Sequence, residues 1–259
     1  MRVLVDRRDG LTAVADVCAS GAFERGEKAG ALPRALARED EATRGLLKAA
    51  WDKQEVRGKR KEVTVLHRPD GRGRVVLIGL GPRESFQAES VRRAAAEVVK
   101  ALKGRGVRTV AFRLSSFVAD SVTAEAAARA LADGAILGGY EFLKYKTTTE
   151  GGVEEATIHL GEEHGREESV LKRAVTEESE LADVVVWTRD IANLPADTAT
   201  PERLAEEARA LGKETMVGVE YYADYGPLGN FSPGDQQQHT IFGVVDFTSP
   251  FSCMRDRIT

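Results

Sequence analysis

KEVTVLHRPDGRGRVVLIGLGPRESFQAESVRRAAAEVVKALKG, residues 61–104, is the stretch that decides the fold. Residues 61–69 and 74–81 are β-rich runs separated by Asp70-Gly71-Arg72-Gly73, and Asp-Gly between such runs signals a hairpin. The second run, RVVLIGLG, is nearly continuous in apolar residues, as a strand covered on both faces should be. From residue 87 the period changes. Val91, Ala95, Val98 and Leu102 recur at helical spacing over 87–103, and Gly104 is a natural stop.

Outward from this stretch, strands and helices alternate. Strands are predicted at 2–6, 107–114 and 154–161. A helix is predicted within 32–50, carrying Leu32, Leu36, Leu46 and Leu47, and an Ala-rich one over 123–143. A long helix runs from 167 to 192 with Leu181, Val184, Val185, Thr188 and Ile191 on one side, and Asn193-Leu194-Pro195 ends it. Another opens at Thr200-Pro201, with Thr as N-cap and Pro at the first helical position. Such alternation argues for an α/β layer fold with a mixed or largely parallel sheet.

Composition sets the class. The 259 residues are 42% hydrophobic and 30% charged, enough apolar content for a core and enough charge for a solvated surface. Net charge is −4, which carries no bias toward nucleic acid or an anionic membrane. Cys18 and Cys253 cannot form a disulfide framework, MRVLVDRRDG has no signal-peptide core, and the apolar runs are strand-sized; a cytoplasmic protein outside the membrane is expected. The last 44 residues differ from the rest. Residues 216–259 hold only seven charged side chains, yet they hold seven of the 16 aromatics and Gln236-Gln237-Gln238.

Motifs with a chemical reading are few. Gly79-Leu80-Gly81 follows a strand and precedes a helix, where dinucleotide turns occur, but the third glycine would fall at Glu84 and Pro82 removes an amide donor. A tight turn is the expectation. The run Arg57-Gly58-Lys59-Arg60-Lys61 lacks interleaved aromatics and reads as a solvated loop, which argues against a nucleic-acid partner. His67, His159, His164 and His239 form no H-E-x-x-H; Glu162-Glu163-His164 is the one compact acid–histidine group and reads as loop charge. Glycines within GAILGGY, 134–140, read as close helix packing. Spacing alone assigns no catalytic, cofactor-binding or metal residue.

Three segments in order resemble the leucyl (cytosol) aminopeptidase family of metallopeptidases. They are VLIGLGPRESFQAESVRRAAAEVVKAL (76–102), ALADGAILGGYEFLKYKT (130–147) and TRDIANLPADTATPERLAEEARAL (188–211). The resemblance implies an N-terminal α/β domain with a macro-domain-like mixed sheet flanked by helices, then a long linker helix and a truncated start of a second α/β domain. The boundaries it implies are 1–165 for the macro-like domain, 166–192 for the linker helix and 193–222 for the opening of the catalytic domain, with a strand at about 217–222. Residues 223–259 are an atypical tail expected to be poorly ordered.

It also implies an enzyme that releases N-terminal residues from peptides with two divalent cations, manganese or zinc, held by motifs of the form VGKGITFDSGG and NTDAEGR. Neither motif is present, so no catalytic or metal residue is carried over and no cofactor is expected in this chain. A homo-oligomer, a hexamer in the family, is the implied assembly, with some members binding DNA. Because the composition break coincides with the loss of family pattern, truncation or a frameshift is expected, and this chain alone is expected to be inactive. The alternative is a stand-alone macro-like module binding a nucleotide or a protein.

Overall fold

The structure is a computed structural model that describes residues 1–8, 11, 15–25, 31–71, 73–147, 150–215, 218–223 and 241–246. It divides into two units, Met1–Thr188 and Arg189–Thr259.

The first unit is built on a six-stranded sheet. In chain order its elements are β1 (Arg2–Asp6), β2 (Val17–Phe23), α1 (Ala37–Ala42), α2 (Leu46–Asp52), β3 (Val63–His67), β4 (Arg74–Gly81), α3 (Ala88–Leu102), β5 (Thr109–Arg113), α4 (Ala124–Gly138), β6 (Glu155–His159), α5 (Gly161–His164) and α6 (Glu168–Ala192). The sheet order is β1-β6-β5-β2-β4-β3. All neighbours are parallel except β3 and β4, which form the antiparallel hairpin expected around Asp70-Gly71, with His67 opposite Arg74. The fold is therefore mixed α/β, as the alternation predicts.

Strand β4 explains the layering. Val76, Ile78 and Leu80 face a large core shared with Val91, Ala95, Val98 and Leu102 of α3 and Ala127, Ala128 and Leu131 of α4. Leu77 points to the other face, into a smaller cluster with Leu36, Leu47, Ala50 and Trp51. Successive strand residues alternate between faces, so one apolar run supplies both cores. Helix α3 ends where Gly104 takes a left-handed φ of 69° and donates its N–H to the Gly151 carbonyl. Helices α3 and α4 approach closely because Gly134 and Gly138 have no side chain. A Cβ at Gly134 would sit 2.1 Å from the Arg92 carbonyl oxygen, and one at Gly138 would sit 2.5 Å from Ala96 Cα.

Three expectations change. The helix within 32–50 is broken into a 3₁₀ turn at 34–36 followed by α1 and α2, because Arg44 and Gly45 adopt positive φ of 53° and 83°. Leu36 and Leu47 are buried as expected, whereas Leu46 is exposed. Second, β2 (VCASGAF), which pairs with both β4 and β5, has no counterpart among the predicted strands. Third, the stripe expected to define α6 is not its buried side. Leu171, Ala174, Val175 and Ala182 are buried, while Leu181 and Val184 are 61% and 59% exposed.

The second unit contains α7 (Pro201–Thr215) and a two-stranded antiparallel sheet of β7 (Gly218–Ala223) and β8 (Ile241–Asp246). Thr200 caps α7, its hydroxyl accepting the Arg203 N–H at 3.3 Å. Strand β7 falls where the resemblance implies one, and β8 is an additional strand lying in the stretch expected to lack order. The rest of that stretch, with His239 and Cys253, lies outside the described residues.

Candidate functional site

Five parallel strands end on one side of the sheet, at Asp6, His159, Arg113, Phe23 and Gly81. In open α/β sheets ligands bind beyond these carboxyl ends, where adjacent strands send their connections in opposite directions. The topology places that point between β2 and β5. From β2 the chain runs through α1 and α2 toward the β3–β4 side; from β5 it runs through α4 toward β6.

Near that point a buried polar network joins β2, β5 and α1. Glu39 of α1 is fully buried and the Arg113 side chain is 14% exposed. Arg113 Nη1 donates to both Glu39 carboxylate oxygens at 2.6 and 2.7 Å, and the buried Ser20 hydroxyl donates to Glu39 Oε1 at 2.5 Å. Beside them the Gly21 N–H donates to Ser116 Oγ at 2.9 Å, and Ser116 Oγ donates to the Arg113 carbonyl at 2.8 Å. The buried charges are thus compensated by each other, as burial demands. None of Ser20, Glu39, Arg113 or Ser116 stands out in the sequence. The one available signal is an arginine closing the strand VAFR ahead of LSS.

The glycine turn is packed rather than open. A Cβ at Gly79 would lie 1.8 Å from the Lys59 carbonyl oxygen, and the Gly79 and Gly81 amides donate to the carbonyls of Glu62 and Gly58. Those amides are unavailable to a phosphate, so the tight-turn reading holds. The loop pressed against them is the basic run itself. Its bend is fixed by the Glu62 carboxylate, which accepts the N–H groups of Arg57 and Lys59 at 2.9 and 3.1 Å, while the side chains of Arg57, Lys59, Arg60 and Lys61 are exposed.

At the β1–β6 end, His159 is buried with Nδ1 3.0 Å from the Arg8 carbonyl, so that nitrogen carries the proton and donates. Arg8 folds back on Asp6, Nε and Nη2 both reaching Oδ2, at 2.9 and 2.6 Å. This guanidinium hydrogen bond, with the Arg8 N–H and charge attraction to Arg8 and His159, lowers the Asp6 carboxyl to about 2. A depressed carboxyl contributes stability above its unfolded value near 3.8 and loses it as pH falls toward 2. Because Arg8 is largely exposed, screening limits the effect to about 1 kcal/mol or less. Urea unfolding should show Asp6→Asn less stable than wild type at pH 7, the difference shrinking below about pH 4 and vanishing as pH falls through about 2. A difference independent of pH would contradict the assignment.

The remaining candidates do not converge. His67 is exposed on β3, and Glu162-Glu163-His164 forms the short helix α5 rather than a loop, with both carboxylates exposed. Cys18 is buried in β2. Among the described residues no group of three or more His, Cys, Asp or Glu side chains is placed to hold a metal ion. These residues therefore do not fit the two cations that the resemblance implies. No helix among the described residues is long and apolar enough to cross a membrane.

Comparison with known proteins matches residues 21–149 to "Cytosol aminopeptidase family, N-terminal domain". A curated relative from Paraburkholderia phytofirmans, described as "Probable cytosol aminopeptidase", is 31% identical over 216 residues, covering 81% of this chain and 41% of the relative. The chain spans less than half the length of the curated relatives it matches. Among solved structures, "Bottromycin maturation enzyme BotP in complex with Mn" aligns over 82% of this chain and 39% of that chain, with TM-score 0.61 and 27% identity. The fold is shared with tomato leucine aminopeptidase (mutant K354E), at TM-score 0.72 and 24% identity over 86% of this chain and 44% of that chain. Residues 21–149 are thus the N-terminal domain of the cytosol (leucyl) aminopeptidase family, and through them the chain belongs to that family.

Proposed function

We propose that this chain is the N-terminal, assembly-supporting portion of a cytoplasmic leucyl-aminopeptidase-like metallopeptidase that removes N-terminal amino acids from peptides. The family match over residues 21–149 carries the reading. Two divalent cations, manganese or zinc, belong to a catalytic half that these residues do not supply, and BotP's manganese supports metal dependence in a relative. On this reading residues 1–165 are macro-like, which the mixed order β1-β6-β5-β2-β4-β3 supports. Residues 166–192 link them to the opening of the catalytic domain at 193–222, and the assembled enzyme is a hexamer. The stand-alone nucleotide module is not favoured, since the glycine turn that suggested it is packed against residues 58–62.

The test is a chimera in which residues 1–212 replace the corresponding part of the Paraburkholderia phytofirmans relative. It should assemble and hydrolyse leucine anilide with added manganese. A folded chimera that neither assembles nor hydrolyses would contradict the proposal.

A further inference from the structure

The Glu39 network lies where an α/β sheet of this topology receives a ligand, and its donors have the chemistry of an oxyanion receptor. A guanidinium and a hydroxyl converge on one carboxylate in a site shielded from water, the setting in which charge-assisted hydrogen bonds are strong. The Gly21 amide, one residue from Ser20, adds a donor at the same edge, turned toward Ser116. Burying such a pair is weak support for stability, because apolar residues of similar volume often serve as well or better. The carboxylate also comes from outside the sheet. It is carried by α1, a short helix flanked in the chain by Leu36 and Leu47 of the smaller core.

We propose that the buried Ser20–Arg113 pocket of donors, between β2 and the carboxyl end of β5, is an oxyanion site that the protein keeps occupied with its own Glu39 carboxylate. A small oxyanion of the inorganic phosphate class then enters only when that carboxylate is withdrawn. Arg113 and Ser20 are the receptor, and Glu39 is the plug.

The test uses the full chain and inorganic phosphate, with sodium chloride at matched ionic strength as the reference. Thermal unfolding of wild type should show no phosphate-specific stabilisation. Glu39→Ala should be stabilised by phosphate in a saturable manner, and replacing Arg113 as well (Glu39→Ala with Arg113→Ala) should weaken the apparent affinity about tenfold or more. Glu39→Gln keeps the shape of the plug and should behave as wild type, which separates vacating the site from losing a charge. Should Glu39→Ala fail to fold in chloride, its refolding yield from urea is read against phosphate and should rise saturably. A purely structural pair predicts a destabilised variant without this response. The proposal is overturned if Glu39→Ala shows no phosphate-specific change in either readout. It is also overturned if the apparent affinity is unchanged by loss of Arg113, or if wild type and Glu39→Gln respond as strongly as Glu39→Ala.

Discussion

Arg113→Ala is expected to lower the unfolding free energy by about 3–5 kcal/mol, because it leaves a buried carboxylate without its counter-charge. Glu39 is fully buried, and after the substitution only the Ser20 hydroxyl would still donate to its carboxylate among the side chains described around it. Total stability of a domain is about 5–15 kcal/mol, so a loss of this size removes a large share of it. Removing both partners should cost less than the sum of the two single losses, since the double variant buries no unpaired charge. Urea unfolding followed by circular dichroism measures all four chains. A loss below about 1 kcal/mol for Arg113→Ala would match an exposed pair instead and contradict the burial described.

How much of this could be read beforehand differs from place to place. The β3–β4 hairpin and α3 were legible because 61–104 changes period abruptly at marked turns, with Asp70-Gly71 between the strands and Gly104 after the helix. Strand β2 was not, because VCASGAF is an interior strand made mostly of small residues, outside the usual β-rich vocabulary. Its composition has a tertiary cause. A Cβ at Gly21 would sit 2.7 Å from Leu80 Cδ1 and 2.9 Å from the Ser116 carbonyl oxygen, and one at Gly58 would sit 2.2 Å from the Phe23 carbonyl oxygen. Neighbouring chain crowds the strand at Gly21, where a side chain could not be added without something shifting.

The break at Arg44-Gly45 was hidden for a related reason. A non-glycine residue at positive φ carries no sequence mark, and the leucines on either side kept an approximate helical period. Along α6 the period is helical, but the stripe Leu181, Val184 and Val185 is exposed and a different side is buried. Periodicity identifies a helix; it does not say which of two apolar stripes the sheet covers. The Glu39 network was illegible for want of any local signal. Ser20, Glu39 and Arg113 lie 19 and 74 residues apart and meet only because the sheet sets β5 beside β2.

The largest functional effect expected is a complete absence of aminopeptidase turnover from the 259-residue chain. Activating water at neutral pH in this chemistry takes a cation pair, each cation held by several ligands in fixed geometry. Several of the acids are engaged in ion pairs. Glu125 and Glu177 pair with Arg129 at 3.2 and 2.6 Å, and Glu168 pairs with Lys172 at 2.7 Å along α6. These are ion pairs on helix surfaces, not converging ligands. Glu162, Glu163 and His164 are the most compact alternative, and three residues in one turn would leave two cations under-ligated. Nor does the sequence contain a segment like VGKGITFDSGG or NTDAEGR to supply the missing set. The direct measurement is hydrolysis of leucine anilide by the purified protein with manganese, zinc or cobalt added. No turnover above a metal-only control is the predicted result. Turnover that co-purifies with the 28.1 kDa chain and vanishes with chelator would contradict the account.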